Sequence, residues 1–351
     1  MKYLYIIFIL LVITLVGGGV LVLINGQDRA QVLSSQANNV NNIRPSKNAV
    51  TYISDRDGNA EIYLQNTDDQ KTQRVTETKV TEYSPILSSD GRKLAFFSEE
   101  EGFYGIWTYS LENYEKKLLS ITKAVPKRLL FSPDGLLLAY FERDNSQNNL
   151  YIINTVSGRK ERVTTSAYDF SWSDDSSSIV YTENSLPSIL KTEIIIRTIA
   201  EDGKLEDPNT MFVGGVAPVF VSGSERLYFI DTGGEYISLA STSLRGEGYA
   251  EEFQIKIQPK DGMLYRLAKN PVRNELLLSI FSEEKLVGTL FISLDDKVAL
   301  PINNKVLAIN WDNNGKIMFV EKDEADNNQV WLKNDYDTQP VKLTDKYNNW
   351  F

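Results

Sequence analysis

The chain has 351 residues, of which 42% are hydrophobic and 24% are charged, and this is enough apolar material for a packed core. It carries 37 basic and 47 acidic residues, and the net charge of −10 argues against a nucleic-acid partner, which selects basic surfaces. It contains neither cysteine nor histidine, which excludes disulfides, His-ligated zinc centres and catalysis by Ser-His-Asp or Cys-His groups.

The chain begins with an uncharged apolar segment from Tyr3 to Ile24. As a helix rising about 1.5 Å per residue, this segment would span roughly 33 Å and cross a hydrocarbon core about 30 Å thick. We therefore predict a transmembrane anchor over residues 1–25. The alternative is a cleaved signal peptide, whose apolar region is shorter and ends in a small-residue cleavage site. A lipoprotein is excluded because it needs a cysteine.

The charges that flank the apolar segment predict its orientation. Lys2 and the terminal amine precede it, whereas Arg29 follows it and is balanced by Asp28. The positive-inside rule then predicts a single-pass protein of the cell membrane with a cytoplasmic N-terminus and an extracytoplasmic C-terminal domain. Residues 26–48 are rich in Asn, Gln and Ser, which indicates a flexible linker with an end-to-end distance of roughly 25–30 Å.

From residue 49 onwards the chain repeats one pattern, clearest in the turn Phe131-Ser-Pro-Asp-Gly135 and the apolar run after it. The spacing of the copies is typical of four-stranded propeller blades, which repeat about every 40–45 residues. The copies begin at Leu87, Phe131, Trp172, Phe220, Lys269, Trp311 and Trp350.

Each repeat has the same order of strand signals. An apolar first strand leads into the Asp- and Gly-containing turn, and a second strand such as Leu94–Phe97 follows it. A polar loop then precedes a third strand such as Ile106–Tyr109, and a short fourth strand often ends in Val-Thr or Leu-Thr. Because no stretch after the anchor has a sustained helical period, we predict an all-β domain.

The two ends of the repeat region predict how the ring closes. The repeats open at Val50–Ile53, which has the pattern of a second strand, so the first strand of that blade is missing there. Trp350 lies where a first strand is expected. We predict that the C-terminal strand completes the opening blade and closes a seven-bladed β-propeller over residues 49–351. The alternative is a six-bladed ring with a loose terminal hairpin.

Three segments resemble the TolB-type propeller repeat: Ile53-Ser-Asp-Arg-Asp-Gly-Asn-Ala-Glu-Ile-Tyr63, Arg74-Val-Thr76 and Phe131-Ser-Pro-Asp-Gly135. That repeat is similar to blades of WD-repeat proteins and of prolyl oligopeptidase-like peptidases. The resemblance covers about 300 residues and weakens between residues 185 and 300. It implies a propeller fold, export and a general role in binding proteins. TolB has an α/β module before its propeller, and since this chain has no counterpart, the partners of TolB are not implied.

The sequence offers no convincing catalytic or metal site. Asp55-Arg-Asp57-Gly58-Asn59 looks like a calcium loop, but an EF-hand needs a bidentate Glu at position twelve, where Asn66 stands. A peptidase of the related families needs an α/β-hydrolase domain and a histidine. Carboxylate pairs can hydrolyse glycosides without histidine, but no pair stands out. We therefore expect no enzyme activity, cofactor or metal.

Binding remains as the function that these residues favour. We predict an exported scaffold that binds a protein or peptide, and the alternative is a cell-surface propeller that binds or hydrolyses carbohydrate. Two carboxylates roughly 5–10 Å apart beside exposed aromatic side chains would favour the carbohydrate alternative. A broad polar face would favour a protein partner.

The loops between second and third strands are the most acidic parts of the repeats. They hold fifteen acidic and five basic residues, a difference of ten. Because all these loops emerge on one side of a propeller, we predict an acidic face that attracts a basic partner. The alternative is that these loops are solvated and acidic only for solubility. The candidate binding residues are Asp55, Asp57, Glu99, Glu100, Glu101, Glu142, Asp144, Glu283, Glu284, Asp323, Glu324 and Asp326.

Overall fold

A computed structural model describes residues 44–351 except 145–146, 185–191, 201–202, 222, 304 and 345–347. The predicted anchor over residues 1–25 and most of the predicted linker over residues 26–48 lie outside the described residues. Within the described ranges we find no helix with the length and apolarity needed to cross a membrane.

The described residues form strands joined by turns and loops. The strands are β1 (Ala49–Ser54), β2 (Glu61–Asn66), β3 (Thr72–Arg74), β4 (Thr81–Leu87), β5 (Lys93–Glu100), β6 (Phe103–Ser110), β7 (Lys116–Thr122), β8 (Val125–Phe131), β9 (Leu137–Asp144), β10 (Gln147–Asn154), β11 (Lys160–Thr164), β12 (Ala167–Trp172), β13 (Ser178–Asn184), β14 (Thr192–Thr198), β15 (Asn209–Val213), β16 (Gly215–Phe220), β17 (Arg226–Asp231), β18 (Ile237–Ser243), β19 (Ala250–Ile255), β20 (Met263–Lys269), β21 (Glu275–Ser282), β22 (Lys285–Ser293), β23 (Val298–Pro301), β24 (Ala308–Trp311), β25 (Ile317–Lys322), β26 (Asn328–Lys333), β27 (Val341–Lys342) and β28 (Asn349–Trp350).

These strands form seven antiparallel sheets of four strands each, counted over the described residues. Blade 1 has the order β28-β1-β2-β3, and blades 2 to 7 each take four consecutive strands, from β4–β7 in blade 2 to β24–β27 in blade 7. The prediction of an all-β seven-bladed propeller is confirmed, and the six-bladed alternative is wrong.

The predicted closure by the C-terminal strand is also confirmed. Trp350 pairs with Ile53, and Asn349 pairs with Ser54, so β28 supplies the first strand of blade 1. The backbone amide of Asp55 extends this pairing with a 3.3 Å hydrogen bond to the carbonyl oxygen of Asn348. The two ends of the described chain therefore share one sheet, which removes the exposed edges that an open ring would have.

The blades pack face to face through their second strands. In β5 the run from Leu94 to Phe97 is fully buried, because the sheet has a neighbouring blade on each side. Phe97 contacts Tyr140 of blade 3 edge-on, with ring centroids 6.1 Å apart. Burial of aromatic side chains at this interface contributes several kcal/mol per residue to the stability of the ring.

Side-chain hydrogen bonds stabilise the predicted turn between first and second strands. The hydroxyl of Ser132 donates to Oδ1 of Asp134 at 2.6 Å, and the backbone amide of Leu136 donates to the same oxygen at 3.0 Å. Gly135 has a φ of +69°, a conformation that glycine adopts without steric cost. The same hydroxyl–carboxylate bond recurs in blade 2, where Ser88 donates to Asp90 at 2.6 Å.

The end of the predicted linker packs against these turns. The side-chain amide of Asn314 donates to the carbonyl oxygen of Lys47 at 3.2 Å and to Oδ1 of Asn48 at 2.9 Å. A side chain at Gly91 would collide with the carbonyl oxygen of Ser46. Residues 46–48 are thus held by the turns of blades 2 and 7.

Candidate binding face and central channel

The strand order of the blades assigns every connection to one of two faces. Because neighbouring strands are antiparallel, the second-to-third hairpins and the fourth-to-first connections emerge together on one face. We call this face the hairpin face. The first-to-second turns and the third-to-fourth loops emerge on the opposite face.

Nine of the twelve predicted binding residues are exposed, and six of these, at the hairpin tips of four blades, form a group of their own. They make no ion pair within the described part of the chain, so their charge is available to a partner. These residues are Glu99, Glu100, Glu101, Asp144, Glu283 and Glu324.

Asp55 and Asp57 instead support the closing blade. Oδ1 of Asp55 accepts a hydrogen bond from the backbone amide of Asn348 at 3.0 Å, and Oδ2 accepts one from its side-chain amide at 3.1 Å. Asp57 accepts a hydrogen bond from the hydroxyl of Tyr63 and lies 3.5 Å from the guanidinium of Arg74. Burial and the bond to Asp57 raise the pKa of Tyr63.

The two acidic residues at the start and end of the blade 7 loop are also engaged. Asp323 accepts backbone hydrogen bonds from Ala325 and Asn327, each 3.0 Å long, and so shapes the loop. Asp326 forms a 2.7 Å ion pair with Lys322. A surface pair of this kind contributes about 0.5 kcal/mol or less, so Asp326 can still exchange Lys322 for a partner.

Glu142 does not lie in a surface loop, so its prediction as a loop residue of the binding face is wrong. Strand β9 continues to Asp144, so Glu142 is a strand residue whose side chain is 7% exposed. It forms an ion pair with Lys160 of β11 and accepts a 3.2 Å hydrogen bond from the hydroxyl of Tyr140. The sequence pattern placed the end of the second strand too early, because charged residues at strand ends resemble loop residues.

The charge difference between the two faces is smaller than the second-to-third loops alone indicate. The fourth-to-first connections share the hairpin face, and in their described part five lysines stand against Glu77 and Asp261. Acidic residues also predominate in the third-to-fourth loops of the opposite face. The lysines are Lys79, Lys123, Lys256, Lys260 and Lys305. Net charge therefore does not distinguish the faces, and exposed carboxylates such as Glu115 and Glu206 occur on the opposite face as well.

Three groups of ion pairs lie at successive levels of the central channel. The upper tier, nearest the hairpin face, joins Glu284 of blade 6 to Lys127 and Arg143 of blade 3. The Lys127–Glu284 distance is 2.7 Å, and the pKa of Glu284 is lowered, chiefly by the hydrogen bond from Lys127. Since blades 4 and 5 separate blades 3 and 6 along the chain, this contact bridges the channel.

The middle tier contains two arginines and one carboxylate. Arg128 of β8 forms an ion pair with Asp169 of β12, and Nε of Arg266 in β20 lies 3.9 Å from the same carboxylate oxygen. The side chain of Asp169 is 4% exposed and that of Arg128 is 14% exposed. A lower tier joins Lys269 of blade 6 to Asp174 of blade 4.

Irregular first strands aim these side chains at the channel axis. The register of β8 against β9 shifts between Lys127 and Leu130, and Arg128 has a φ of +47°. Strand β12 has a similar shift between Ala167 and Asp169. Such bulges insert an extra residue and redirect its side chain, which explains how Arg128 and Asp169 meet across neighbouring blades.

A second buried charge cluster lies between blades 1 and 2. Glu61 is fully buried and accepts a 2.9 Å bond from Arg74, while Glu82 is 1% exposed and accepts a 2.7 Å bond from the hydroxyl of Thr78. Burial, with a smaller contribution from the charge of Glu61, raises the pKa of Glu82 to about 7. Burial lowers the pKa of the neighbouring Lys116.

This cluster predicts a pH-dependent stability. Because Glu82 binds its proton more tightly in the folded protein (pKa about 7) than its usual value of 4.5, the free energy of unfolding should decrease as pH rises from about 4.5 to 7. Glu82→Gln should remove this decrease and stabilise the protein at pH 8 by about 1–3 kcal/mol, with little change at pH 4.5. Urea unfolding at both pH values measures the effect. The control is Glu77→Gln, an exposed carboxylate of the connection that precedes β4. Equal pH profiles for native and Glu82→Gln proteins would contradict the assignment.

Two cavities in the described part of the chain can be compared with the carbohydrate alternative. One of about 460 Å³ lies on the turn side of blade 6 and is lined by Glu275, Asp295 and Asp296 but by no aromatic side chain. The other, of about 20 Å³, is lined by Tyr168, Tyr265 and other residues beside Asp169, a single carboxylate already paired with Arg128. Neither combines aromatic side chains with two available carboxylates. The described residues contain no cluster of three acidic side chains arranged to hold a metal ion.

The fold and these sites define a closed seven-bladed β-propeller whose channel is bridged by ion pairs. Residues 20–174 match the family model described as the TolB beta propeller domain. The resemblance of the repeats to TolB-type propellers is thereby confirmed. No curated protein is similar enough in sequence to match the chain.

Several solved structures share this architecture at low sequence identity. The beta-propeller domain of the Trilobed protease from Pyrococcus furiosus is 18% identical, with 86% of this chain and 94% of that chain covered and a TM-score of 0.60. An oligogalacturonate lyase in complex with manganese is 12% identical, with coverages of 82% and 86% and a TM-score of 0.59. The acylaminoacyl peptidase of Pyrococcus horikoshii is 16% identical, with coverages of 86% and 51% and a TM-score of 0.56. This chain thus spans about half the length of that peptidase, and the similarities show the fold alone.

Proposed function

We propose that this protein is a membrane-anchored, extracytoplasmic β-propeller that binds a protein or peptide on its hairpin face. The observation that carries the proposal is the set of exposed carboxylates at the hairpin tips of blades 2, 3, 6 and 7, which have no ion pair within the described residues. The ring holds these hairpins on one common face. The sequence has no histidine or cysteine, which is consistent with binding in place of nucleophilic catalysis.

The carboxylates favour a partner with basic residues at its contact surface. Exposed charges act over about 8–10 Å at physiological salt and increase the rate of association more than the final affinity. The lysines of the fourth-to-first connections lie on the same face, so the partner should carry a mixed charge pattern with basic groups opposite the hairpin tips. Cross-linking in intact cells would identify this partner.

Neutralising the hairpin tips should slow the capture of that partner. We expect the combined changes Glu99→Gln, Glu100→Gln, Glu101→Gln and Glu283→Gln to lower the association rate about tenfold at low salt and to flatten its salt dependence. Stopped-flow or surface-binding kinetics at two ionic strengths measures both quantities.

The matched control removes four exposed charges from the opposite face. It combines Glu112→Gln, Glu115→Gln, Glu206→Gln and Asp207→Asn, all in third-to-fourth loops. The control should associate at the native rate. Equal rates and salt dependence in all three proteins would show that the hairpin carboxylates serve solubility only.

The membrane topology has its own test, because the chain contains no cysteine and one introduced thiol is therefore a unique label. We expect Glu112→Cys, on an exposed propeller loop, to react with a membrane-impermeant maleimide in intact cells. Lys2→Cys should react only after the membrane is permeabilised. The reverse pattern would contradict the proposed orientation, and release of the labelled propeller into the medium would indicate cleavage of the anchor.

A further inference from the structure

One face of blade 2 extends past its neighbour at the outer rim of the ring. Leu118 of β7 lies opposite Trp107 of β6, and Ile121 lies opposite Gly105, so both apolar side chains share the face that carries Trp107. Trp107 packs in the cluster that contains Ile53 of blade 1, which shows that this face is directed to blade 1. The outer strand of blade 1, β3, has three residues, whereas β7 has seven. The outer part of the face is therefore left open.

Three large apolar side chains are exposed on this face. Phe103 is 47% exposed, Leu118 is 39% exposed and Ile121 is 61% exposed. Phe103 lies two residues before Gly105 in the same strand, so it shares the face with the other two. We call these three residues the rim patch. Single exposed apolar residues are ordinary, but a group on one sheet face is typical of a binding surface.

Strand β7 is also a free edge, because it ends the strand order of blade 2. It is the longest outer strand of the described blades, and Leu118–Thr122 contains neither a charged residue nor proline. Proteins protect free edges with short strands, charges or proline. Strands β11 and β19 carry charged residues, β23 ends in Pro301, and β3 and β27 are short. Strand β15 is uncharged but has five residues, and its exposed large apolar side chain is Val213.

Lysines at both ends of β7 make this edge basic. Lys116 and Lys117 begin the strand, Lys123 follows it, and the strand contains no carboxylate. The exposed ammonium group of Lys123 lies 5.2 Å from the centroid of the Phe103 ring and forms no ion pair with a described residue. Glu100 pairs with Phe103 from β5, which places it two strands, or about 10 Å, inward from β7. The complement of this edge is thus an apolar segment with an acidic end.

The charges also separate the possible occupants. Antiparallel self-pairing of two copies centred on Ser120 would place Lys117 of one copy opposite Lys123 of the other, and like charges in that position destabilise a sheet. Lipid would leave the unpaired main-chain groups of the edge without hydrogen-bond partners. An extended peptide supplies these partners through its own main chain and can carry a carboxylate to Lys123.

We propose that β7 binds an extended, acidic segment of a protein partner as a fifth strand of blade 2. The main chain of the segment pairs with Ser120–Thr122, beyond the bulge at Leu119, and its apolar side chains pack on the rim patch. One of its carboxylates meets Lys123. This surface lies on the rim of the ring and takes a segment of opposite charge, so it goes beyond the proposed binding at the hairpin face and does not depend on it.

The test uses the full chain in phosphatidylcholine nanodiscs and three dye-labelled heptapeptides. The first is Glu-Thr-Val-Thr-Val-Thr-Glu amide, which places both valines and both carboxylates on one face of a strand, so that either strand direction brings a carboxylate to Lys123. The second has Gln in place of both Glu, and the third has Ser in place of both Val. Fluorescence anisotropy should show that the first peptide binds about tenfold or more tightly than each of the others.

Two variants and one control locate the binding on β7. Ile121→Lys places a charge in the middle of the edge and should weaken binding of the first peptide about tenfold or more. Lys123→Glu should reverse the preference, so that a heptapeptide with Lys at both ends binds better than the one with Glu. Because a reversed preference needs a folded protein, it separates binding from stability. The control Val213→Lys changes an exposed valine of the outer strand of blade 4 and should bind as the native protein does.

Several results would overturn the proposal. These are equal binding of the Glu and Gln peptides, no measurable binding of the Glu peptide, and binding that survives in Ile121→Lys. Because the chain has no cysteine, Ile121→Cys gives a unique thiol on the edge. A disulfide-linked dimer formed by Ile121→Cys but not by Val213→Cys would place a second copy there. Protection of the Ile121→Cys thiol from maleimide in phosphatidylglycerol discs, but not in phosphatidylcholine discs, would place lipid there. Either result would also contradict a peptide strand at β7.

Discussion

Removal of residues 346–351 should lower the free energy of unfolding of the propeller by about 3–5 kcal/mol and its thermal midpoint by roughly 10 °C. The deleted segment carries the pairing of Trp350 with Ile53 and the fully buried Asn349. Trp350 also packs against the cluster that contains Ile62 and Phe96 of the first two blades. Loss of residues 346–351 exposes the edge of β1 and leaves the two chain ends without a shared sheet.

The measurement compares thermal and urea unfolding of fragment 45–351 with fragment 45–345. A third protein, 45–351 with Trp350→Ala, keeps the main-chain pairing but loses the packing of the indole, so it should lie between the other two. An unchanged midpoint in 45–345 would mean that β28 contributes nothing to the closure of the ring. An unchanged midpoint in Trp350→Ala alone would place the stabilisation in the main-chain pairing.

Asp169→Asn should destabilise the propeller by about 3–5 kcal/mol, because it removes the only carboxylate that the described middle tier offers to two arginines. Asparagine keeps the shape of the aspartate side chain, so the loss of stability measures the effect of the charge and not of packing. Arg128 and Arg266 would then face each other without compensation; their repulsion already contributes, after burial, to a lowered pKa of Arg128. Urea unfolding at pH 7 measures the effect.

The matched control for this change is Asp174→Asn in the lower tier. Asp174 is 44% exposed and pairs with Lys269, so water screens the pair and its loss should cost less than about 1 kcal/mol. Adding Arg266→Gln to Asp169→Asn should recover part of the stability, since it removes one of the two repelling charges. Equal losses for Asp169→Asn and Asp174→Asn would contradict the assignment of the middle tier as a buried cluster.

The sequence alone was enough for the architecture, because a propeller is built from local patterns that repeat. The turn Phe131–Gly135 and its copies indicate the spacing of the blades. The second-strand pattern at Val50–Ile53 indicates a blade that lacks its first strand. Trp350 then stands at the position that completes the ring, as its pairing with Ile53 shows. Each of these signals involves residues that are adjacent in the chain, so hydrophobic periodicity can reveal them.

The site residues were predicted less well, because loop boundaries and burial depend on neighbouring blades. The sequence pattern predicts that Glu142 is a loop residue, but β9 extends past it. Its buried side chain pairs with Lys160 of β11. The sequence pattern predicts that Asp55 belongs to an acidic loop, but its carboxylate accepts two hydrogen bonds from Asn348, near the other end of the chain. The second-to-third loops alone also overstate the charge of the hairpin face, since the connections from fourth to first strands share that face and carry lysines.

Only the tertiary structure decided what lies in the channel. Arg128, Asp169 and Arg266 belong to three blades, and no local pattern links residues so far apart in the chain. One signal was present: β8 and β20 each carry an arginine as their fourth residue, although first strands line the channel and should avoid unpaired charge. The ring brings these strands together across its axis, and their charges then depend on one another because Arg128 and Asp169 are buried, where water screens charges weakly.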